Sequence, residues 1–235
     1  MEHAQDAVAV EQKIVIAMET VESNSLNLNW TSLDLELKAY AKEHHVPIIM
    51  DDGLALLEKI IQIQKPKHIL EIGTAIGYSA IRMHQVCGSK ITTIERNPEM
   101  IAFAKRTIVK AGLEDEIHLI EADALNAFDL VKNTCYDLIF IDAAKAQYQK
   151  FFEIYSPLLT QNGIIISDNM GFHGLVNETS SANLSRSVRG LIRKLEGYRQ
   201  FLLNNPKFDT SIFEIGDGLA ISTKKDEYAY HRKNL

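Results

Sequence analysis

Two cysteines in 235 residues, Cys87 and Cys135, are too few for a disulfide framework, and neither has a His or Cys neighbour at zinc-finger spacing. That shortage excludes a disulfide-stapled scaffold, and both thiols read as small core residues in a reducing compartment. Long apolar runs are missing too: no stretch approaches the roughly 18 to 20 residues that span a bilayer. The opening MEHAQDAVAVEQK has no basic segment followed by an apolar one, so no signal peptide is expected and the chain reads as cytoplasmic. Internal repeats, low-complexity segments and linkers are absent from the sequence. Positive charge is scarce, with 25 Lys and Arg against 31 Asp and Glu. The resulting net charge of −6 argues against indiscriminate coating of nucleic acid and leaves room for a local basic patch.

What is present is an ordinary globular composition, 46% hydrophobic and 24% charged, long enough to bury the core of one large α/β domain. Residues 1–65 carry helical periodicity in VAVEQKIVIAMETVE, LDLELKAYAKEH and GLALLEKIIQIQ, and read as a helical extension capping the same domain. Over residues 66–235 the pattern changes to short apolar runs, HILEI, KITTIE, EIHLIEA, YDLIFID and GIIISD. Helical segments alternate with them: YSAIRMHQV, PEMIAFAKRTIVKAG, ALNAFDLVKN and QYQKFFEIYSPLL. Apolar runs without alternation are what a parallel sheet covered on both faces requires. After a longer helix over about 184–204 come SIFEI and LAIST, joined by Gly216, Asp217 and Gly218. Asp-Gly between two strand-like runs signals a hairpin, so the last strand is expected to run antiparallel to the others.

The first strand leads into EIGTAIGYSA, residues 71–80, where a glycine-bearing turn lets a nucleotide-like ligand approach the backbone at Gly73 and Gly77. The G-x-x-x-G spacing does not provide the cradle that a dinucleotide's pyrophosphate needs, so adenosine without phosphate fits better. Strand two ends at Glu95, able to accept from both ribose hydroxyls, and strand three ends in EADAL, which puts Asp123 near the adenine amino group. Each acid alone is as well explained as a solvated strand end. Together they lie at the carboxyl ends of successive strands, the ligand edge of an open α/β sheet, and S-adenosylmethionine suits them. Strands four and five end in Asp142 and in Asp168-Asn169, hard oxygen donors that suit Mg²⁺ or a similar divalent ion and do not suit zinc. A turn or cap before Gly171 also accounts for Asp168-Asn169. In LIFIDAAKAQY, residues 138–148, Lys145 follows Asp142 by three positions, which a surface ion pair would explain equally well.

Taken together, EIGTAIGYSA, Glu95, Asp123, the D-A-x-K-x-x-Y stretch Asp142 to Tyr148, and Asp168-Asn169 resemble the metal-dependent class I O-methyltransferases of the catechol and caffeoyl-CoA type. Order and spacing match from about residue 40 to the C-terminus. The resemblance implies a Rossmann-like seven-stranded, mostly parallel sheet with a reversed last strand, S-adenosylmethionine, and a divalent metal held by Asp142, Asp168 and Asn169. It assigns Lys145 as general base, adds Ile49 and Ser79 to the cofactor contacts Gly73, Glu95, Asp123 and Asp142, and makes a homodimer the expectation. A metal-bound substrate hydroxyl is more acidic, and a vicinal oxygen completes a chelate that aims the nucleophile at the sulfonium methyl.

EHHVPIIM, ILEIGTAIGYSAIRM, YDLIFIDAAKAQYQKFF and IGDGLAIS resemble more closely the bacterial tRNA 5-hydroxyuridine methyltransferases. That resemblance implies methyl transfer to O5 of a wobble uridine, whose O5 and O4 form a catechol-like vicinal pair. An RNA substrate needs phosphate contacts. In LSRSVRGLIRKLEGYRQFLLNNPK, Arg186, Arg189 and Arg193 share a helical face beside Lys194, and Val188, Leu191, Ile192 and Leu195 face inward. A solvated helix face explains the same pattern. Compared with the tRNA enzymes this chain has a sparser arginine cluster and a longer N-terminus. Phe172 and His173 are candidates for touching the substrate base, and a catechol-like phenol is the alternative substrate.

Overall fold

The computed structural model describes residues 28–171 and 185–225. The periodic stretch at 8–22 lies outside the described residues, as do Phe172 and His173. Two helices of the extension are described, α1 (Leu28–Glu43) and α2 (Asp51–Gln64). There follow β1 (His68–Ile72), α3 (Tyr78–Cys87), β2 (Lys90–Glu95), α4 (Pro98–Ala111), β3 (Ile117–Glu121) and the single turn α5 (Phe128–Val131). The chain continues through β4 (Tyr136–Ile141), α6 (Tyr148–Tyr155), β5 (Leu159–Ser167), α7 (Arg186–Leu203), β6 (Phe208–Phe213) and β7 (Leu219–Lys224).

The strands form one sheet in the order β3-β2-β1-β4-β5-β7-β6. Strands β1 to β5 pair in parallel, and β7 runs antiparallel to both of its neighbours, as the sequence implied. Successive residues of β4 feed opposite layers: Leu138 and Phe140 join the core under α1 to α3, whereas Ile139 and Ile141 join Phe152, Tyr198 and Leu202 on the other face. Both faces of the sheet are therefore covered, which is why its strands read as continuous apolar runs. The winding reverses between β1 and β4, and in such a sheet the ligand crevice lies outside the carboxyl ends of the strands at that reversal.

Local signals set the ends of the elements. Asn97 Oδ1 accepts from the Glu99 and Met100 amides, Pro98 fills the first turn of α4, and Gly112 at φ 68° ends it. The extension is tied down by charge as well as packing. Arg82 on α3 donates to Asp34 of α1 (2.7 Å) and to Glu58 of α2 (2.7 Å), and the Tyr78 hydroxyl also donates to Asp34 (2.9 Å).

Four expectations are corrected. ALNAFDLVKN forms only the one-turn α5, because Phe128 and Val131 pack inward and the rest of the segment is loop. β5 starts at Leu159 rather than Gly163, extended past an irregularity opposite Tyr136 to Leu138 that Gly163 accommodates: a side chain there would sit 2.9 Å from the Asp137 carbonyl oxygen. β6 runs over Phe208–Phe213 rather than SIFEI, so the β6–β7 connection spans residues 214–218 and is longer than Gly216 to Gly218. The cysteines are likewise exposed rather than core residues, since Cys87 closes α3 and Cys135 precedes β4, both at element ends.

Candidate active site

The backbone joins the loops at the carboxyl ends of the strands into a continuous edge. The Gly73 amide donates to Ile94 O (3.0 Å), Asp142 N to Ile72 O (3.0 Å) and Asp168 N to Ile141 O (3.1 Å). Gly73, at φ 101°, lies so close to β4 that a Cβ would collide with the Asp142 carbonyl and approach Ala143 Cα to 3.1 Å. The glycine thus serves the approach of two loops of the protein itself, in addition to any ligand. Glu95 closes the same turn: Oε2 accepts from the Ala75 amide (3.0 Å), and Oε1 from those of Arg96 and Asn97 (2.9 Å each). Its carboxylate is fixed facing the glycine turn with one lone-pair site, on Oε2, left for a ligand hydroxyl.

Asp123 lies further out. Its Oδ1 accepts from the Leu125 amide (2.9 Å) and its Oδ2 from Arg96 (3.0 Å), and the Leu125 bond, followed by Arg96, holds its carboxyl below the usual range. Arg96 therefore links the two acids expected along the ribose and adenine. Ile49 is buried against Gly53 at the start of α2, and Ser79 is buried with its hydroxyl donating to Glu71 Oε1 (2.5 Å).

Glu71 was not picked out from the sequence. It is fully buried beneath the glycine turn, where Thr93 also donates to it (2.5 Å) and Thr93 in turn contacts Thr74 (2.6 Å). Burial, which outweighs the two hydroxyl donors, pushes its carboxyl up to about 7. The signal available was a carboxylate inside the otherwise apolar run HILEI, since Glu is almost never fully buried without partners.

Asp142, Asp168 and Asn169 converge as expected. Asn169, at φ 60°, donates through Nδ2 to Asp142 Oδ1 (2.9 Å), and its own amide donates to Asp168 Oδ1 (2.7 Å). Burial is the largest cause raising both carboxyls well above the usual range; Glu71 then adds to the effect on Asp142, and Asp142 to that on Asp168. Among the described residues no group of three His, Cys, Asp or Glu side chains is placed to hold a metal, the candidate set being two carboxylates and an amide. Two buried acids that repel each other nevertheless suit a hard divalent cation, towards which Asn169 would turn its amide oxygen in place of the Nδ2 that now meets Asp142.

Lys145 opens the short turn Lys145–Gln147 after β4, and its Nζ donates to Asp217 Oδ2 at 3.2 Å. Asp217 is the second residue that sequence reasoning missed, having been taken as a turn former. Its backbone is clamped to the loop after β5, with Gly171 N donating to Asp217 O (2.5 Å) and Met170 N to Gly218 O (2.9 Å). On α7, capped by Ser185, the expected basic residues Arg186, Arg189, Arg193 and Lys194 are exposed, and Leu195 is buried. Arg199 instead turns inward and donates to Met170 O at 3.4 Å. A groove of about 570 Å³ runs from Lys145 between the start of α6 and α7, lined by Gln147, Lys150, Glu153 and Lys194 among others.

A doubly covered sheet with a reversed strand and ligand residues at one edge defines the Rossmann-like class I methyltransferase architecture. A model of the O-methyltransferase family matches residues 29–225, and the chain belongs to that family. A Staphylococcus aureus protein, provisionally assigned as a caffeoyl-CoA O-methyltransferase, has a crystal structure that superposes with a TM-score of 0.78 at 38% identity, covering 93% of this chain and 100% of that one. The Podospora anserina methyltransferase PaMTH1, solved with SAH bound, gives a TM-score of 0.74 at 26% identity over 96% of this chain and 97% of that one. Aspergillus thermomutatus O-methyltransferase ankF is 30% identical over 175 residues, 70% of this chain and 73% of its own length.

Proposed function

We propose that this chain transfers a methyl group from S-adenosylmethionine to O5 of 5-hydroxyuridine at the tRNA wobble position, giving 5-methoxyuridine. The observation that carries the methyl-transfer reading is the meeting of Gly73, Asp142, Asp168, Asn169 and Lys145 at one edge. The RNA part is supported by the sequence resemblance and by the exposed basic face of α7, whose Lys194 lines the groove that begins at Lys145.

In this reading Glu95 receives a ribose hydroxyl and the glycine turn receives the methionine portion. Asp142, Asp168 and Asn169 would hold a divalent ion such as Mg²⁺, which when bound supplies a Lewis acid that lowers the pKa of a substrate hydroxyl. Lys145, having lost its own proton beforehand, accepts the proton of that hydroxyl through Nζ and becomes an ammonium. The oxygen lone pair then forms the new bond to the methyl carbon as the carbon–sulfur bond breaks. The bonding pair stays on sulfur, so the sulfonium becomes a neutral thioether. No covalent enzyme intermediate is needed; positioning and deprotonation suffice.

The resemblance to caffeoyl-CoA enzymes favours a second reading, a phenol with vicinal oxygens. Incubation with Mg²⁺, labelled S-adenosylmethionine, and either tRNA bearing 5-hydroxyuridine or a catechol panel separates the two. Label in tRNA and its absence from catechols is the expected outcome; efficient catechol turnover with unlabelled tRNA overturns the RNA substrate. The reading also carries the expected homodimer, which sedimentation of the purified chain tests.

A further inference from the structure

We infer that Asp217 is a positioning residue for Lys145, holding its amine at the point where it meets the substrate proton. This deepens the proposed function and rests on the reading of Lys145 as the base. A Gly-Asp-Gly turn ordinarily leaves its acid in water or folds it onto neighbouring backbone amides. Here the Asp217 side chain is only 3% exposed and reaches an amine 72 positions back in the chain.

The turn is held on both sides. Gly216 N donates to Asp52 Oδ2 (3.1 Å) at the start of α2, and Gly171 N and Met170 N donate to the carbonyls of Asp217 and Gly218. A Cβ at Gly218 would sit 2.7 Å from the Gly171 nitrogen, so that contact tolerates only glycine without movement. The Asp217 backbone is therefore fixed relative to the loop that carries Asp168 and Asn169, and its side chain is confined by burial.

Lys145 contrasts with this. It stands on a short turn and carries a flexible four-carbon stem with many accessible rotamers. A fixed acceptor at 3.2 Å selects one of those placements. A third carboxylate this close to Asp142 and Asp168 also repels both, a cost that purely structural selection of a turn residue would avoid. The Lys145 cation offsets that cost in the resting protein, and the same contact leaves the amine facing the loop that carries the ligand acids.

The test is a double-mutant cycle with Asp217→Asn and Lys145→Ala, read on the substrate that accepts methyl, together with S-adenosylhomocysteine affinity by calorimetry. Asp217→Asn alone is expected to lower kcat about 10- to 100-fold with KM and S-adenosylhomocysteine affinity unchanged, the scale of a misplaced catalytic group. In the Lys145→Ala background it is expected to cause no further loss. An equal loss in both backgrounds, or affinity falling in step with kcat, overturns the inference. An activity-independent readout is trace acetylation of lysines followed by mass spectrometry: Asp217→Asn should change Lys145 labelling several-fold relative to Lys59, and unchanged labelling counts against the contact. Should Asn prevent folding, Asp217→Ser takes its place in both experiments. If Lys145→Ala keeps wild-type turnover, the base assignment fails; if Lys145→Ala is inactive and Asp217→Asn is not impaired, only the positioning role fails.

Discussion

Replacing Glu71 by Gln removes a buried charge while keeping the side-chain shape, and the structure sets the sign and size of the outcome. Glu71 is fully buried, and its carboxyl stands at about 7 in the folded chain against an ordinary 4.5. The folded state therefore holds a proton that the unfolded chain releases at lower pH. The stability associated with that proton is fully present below about pH 4.5 and is lost as pH rises through 7. At about 1.4 kcal/mol per pH unit the gap amounts to roughly 3 kcal/mol. Gln has no such titration, although one of its amide hydrogens must face a hydroxyl that now donates, from Ser79 or Thr93, at a cost of about 1 kcal/mol. Urea denaturation of both chains without metal, at intervals from pH 4.5 to 8, is the assay. Glu71→Gln is expected to be neutral or slightly less stable at the acid end and to gain about 3 kcal/mol on the wild type by pH 8. Glu71 also raises the carboxyl of Asp142, so removing its charge relieves Asp142 as well and adds to the gain of the variant at the alkaline end. A difference that stays constant within about 0.5 kcal/mol across the range would refute the reasoning, because Glu71 would then ionise alike in the folded and unfolded states.

Asp142→Ala is expected to abolish Mg²⁺ binding measured by calorimetry, whereas Lys145→Ala keeps Mg²⁺ and S-adenosylhomocysteine binding and loses turnover by about 10²- to 10⁴-fold. Gly73→Ala is expected to weaken S-adenosylhomocysteine binding strongly, since the new methyl collides with the Asp142 carbonyl at a φ of 101°; affinity within threefold of wild type would show that the two loops separate easily. Arg82→Ala takes the guanidinium from Glu58 and leaves Asp34 with Lys38 at 3.5 Å, and is expected to cost about 2 to 3 kcal/mol, read as a fall in Tm of roughly 5 to 10 °C.

The strands were legible because the sheet is covered on both faces, so HILEI and KITTIE had no alternative as apolar runs and were bounded by loop residues. Convergence of Asp142, Asp168 and Asn169 was legible for a related reason: in a parallel sheet every strand delivers its last residue to the same edge. Glu71 escaped because the same apolar pattern that reveals a buried strand hides a charged member of it. Asp217 escaped because Asp-Gly is a turn signal whatever else the carboxylate does. Its partner is fixed by pairing of β7 with β5, a contact between distant parts of the chain that no local pattern records. Arg199 shows the converse, since composition counts it with a basic segment whereas its place on α7, beside the face that buries Leu195 and Leu202, directs it towards the Met170 carbonyl.

The site loops also differ in how separable their effects can be. Lys145 is tied to the edge through its side chain, so truncating it leaves the backbone that shapes the cofactor turn untouched. Gly73 belongs to the backbone itself: it bonds to Ile94 on one side, and its missing side chain admits the Asp142 carbonyl on the other. Asp168 N is bonded in turn to Ile141, the residue before Asp142, and Gly171 to Asp217, the acceptor of Lys145. A displacement beginning at Gly73 thus has a continuous hydrogen-bonded route through β4 and β5 to Lys145, one that tightly packed elements transmit rather than absorb. Methyl-donor binding and proton removal are accordingly expected to fail together at Gly73 and separately at Lys145. Among the residues of the edge, these two therefore report respectively on the shape of the site and on its chemistry.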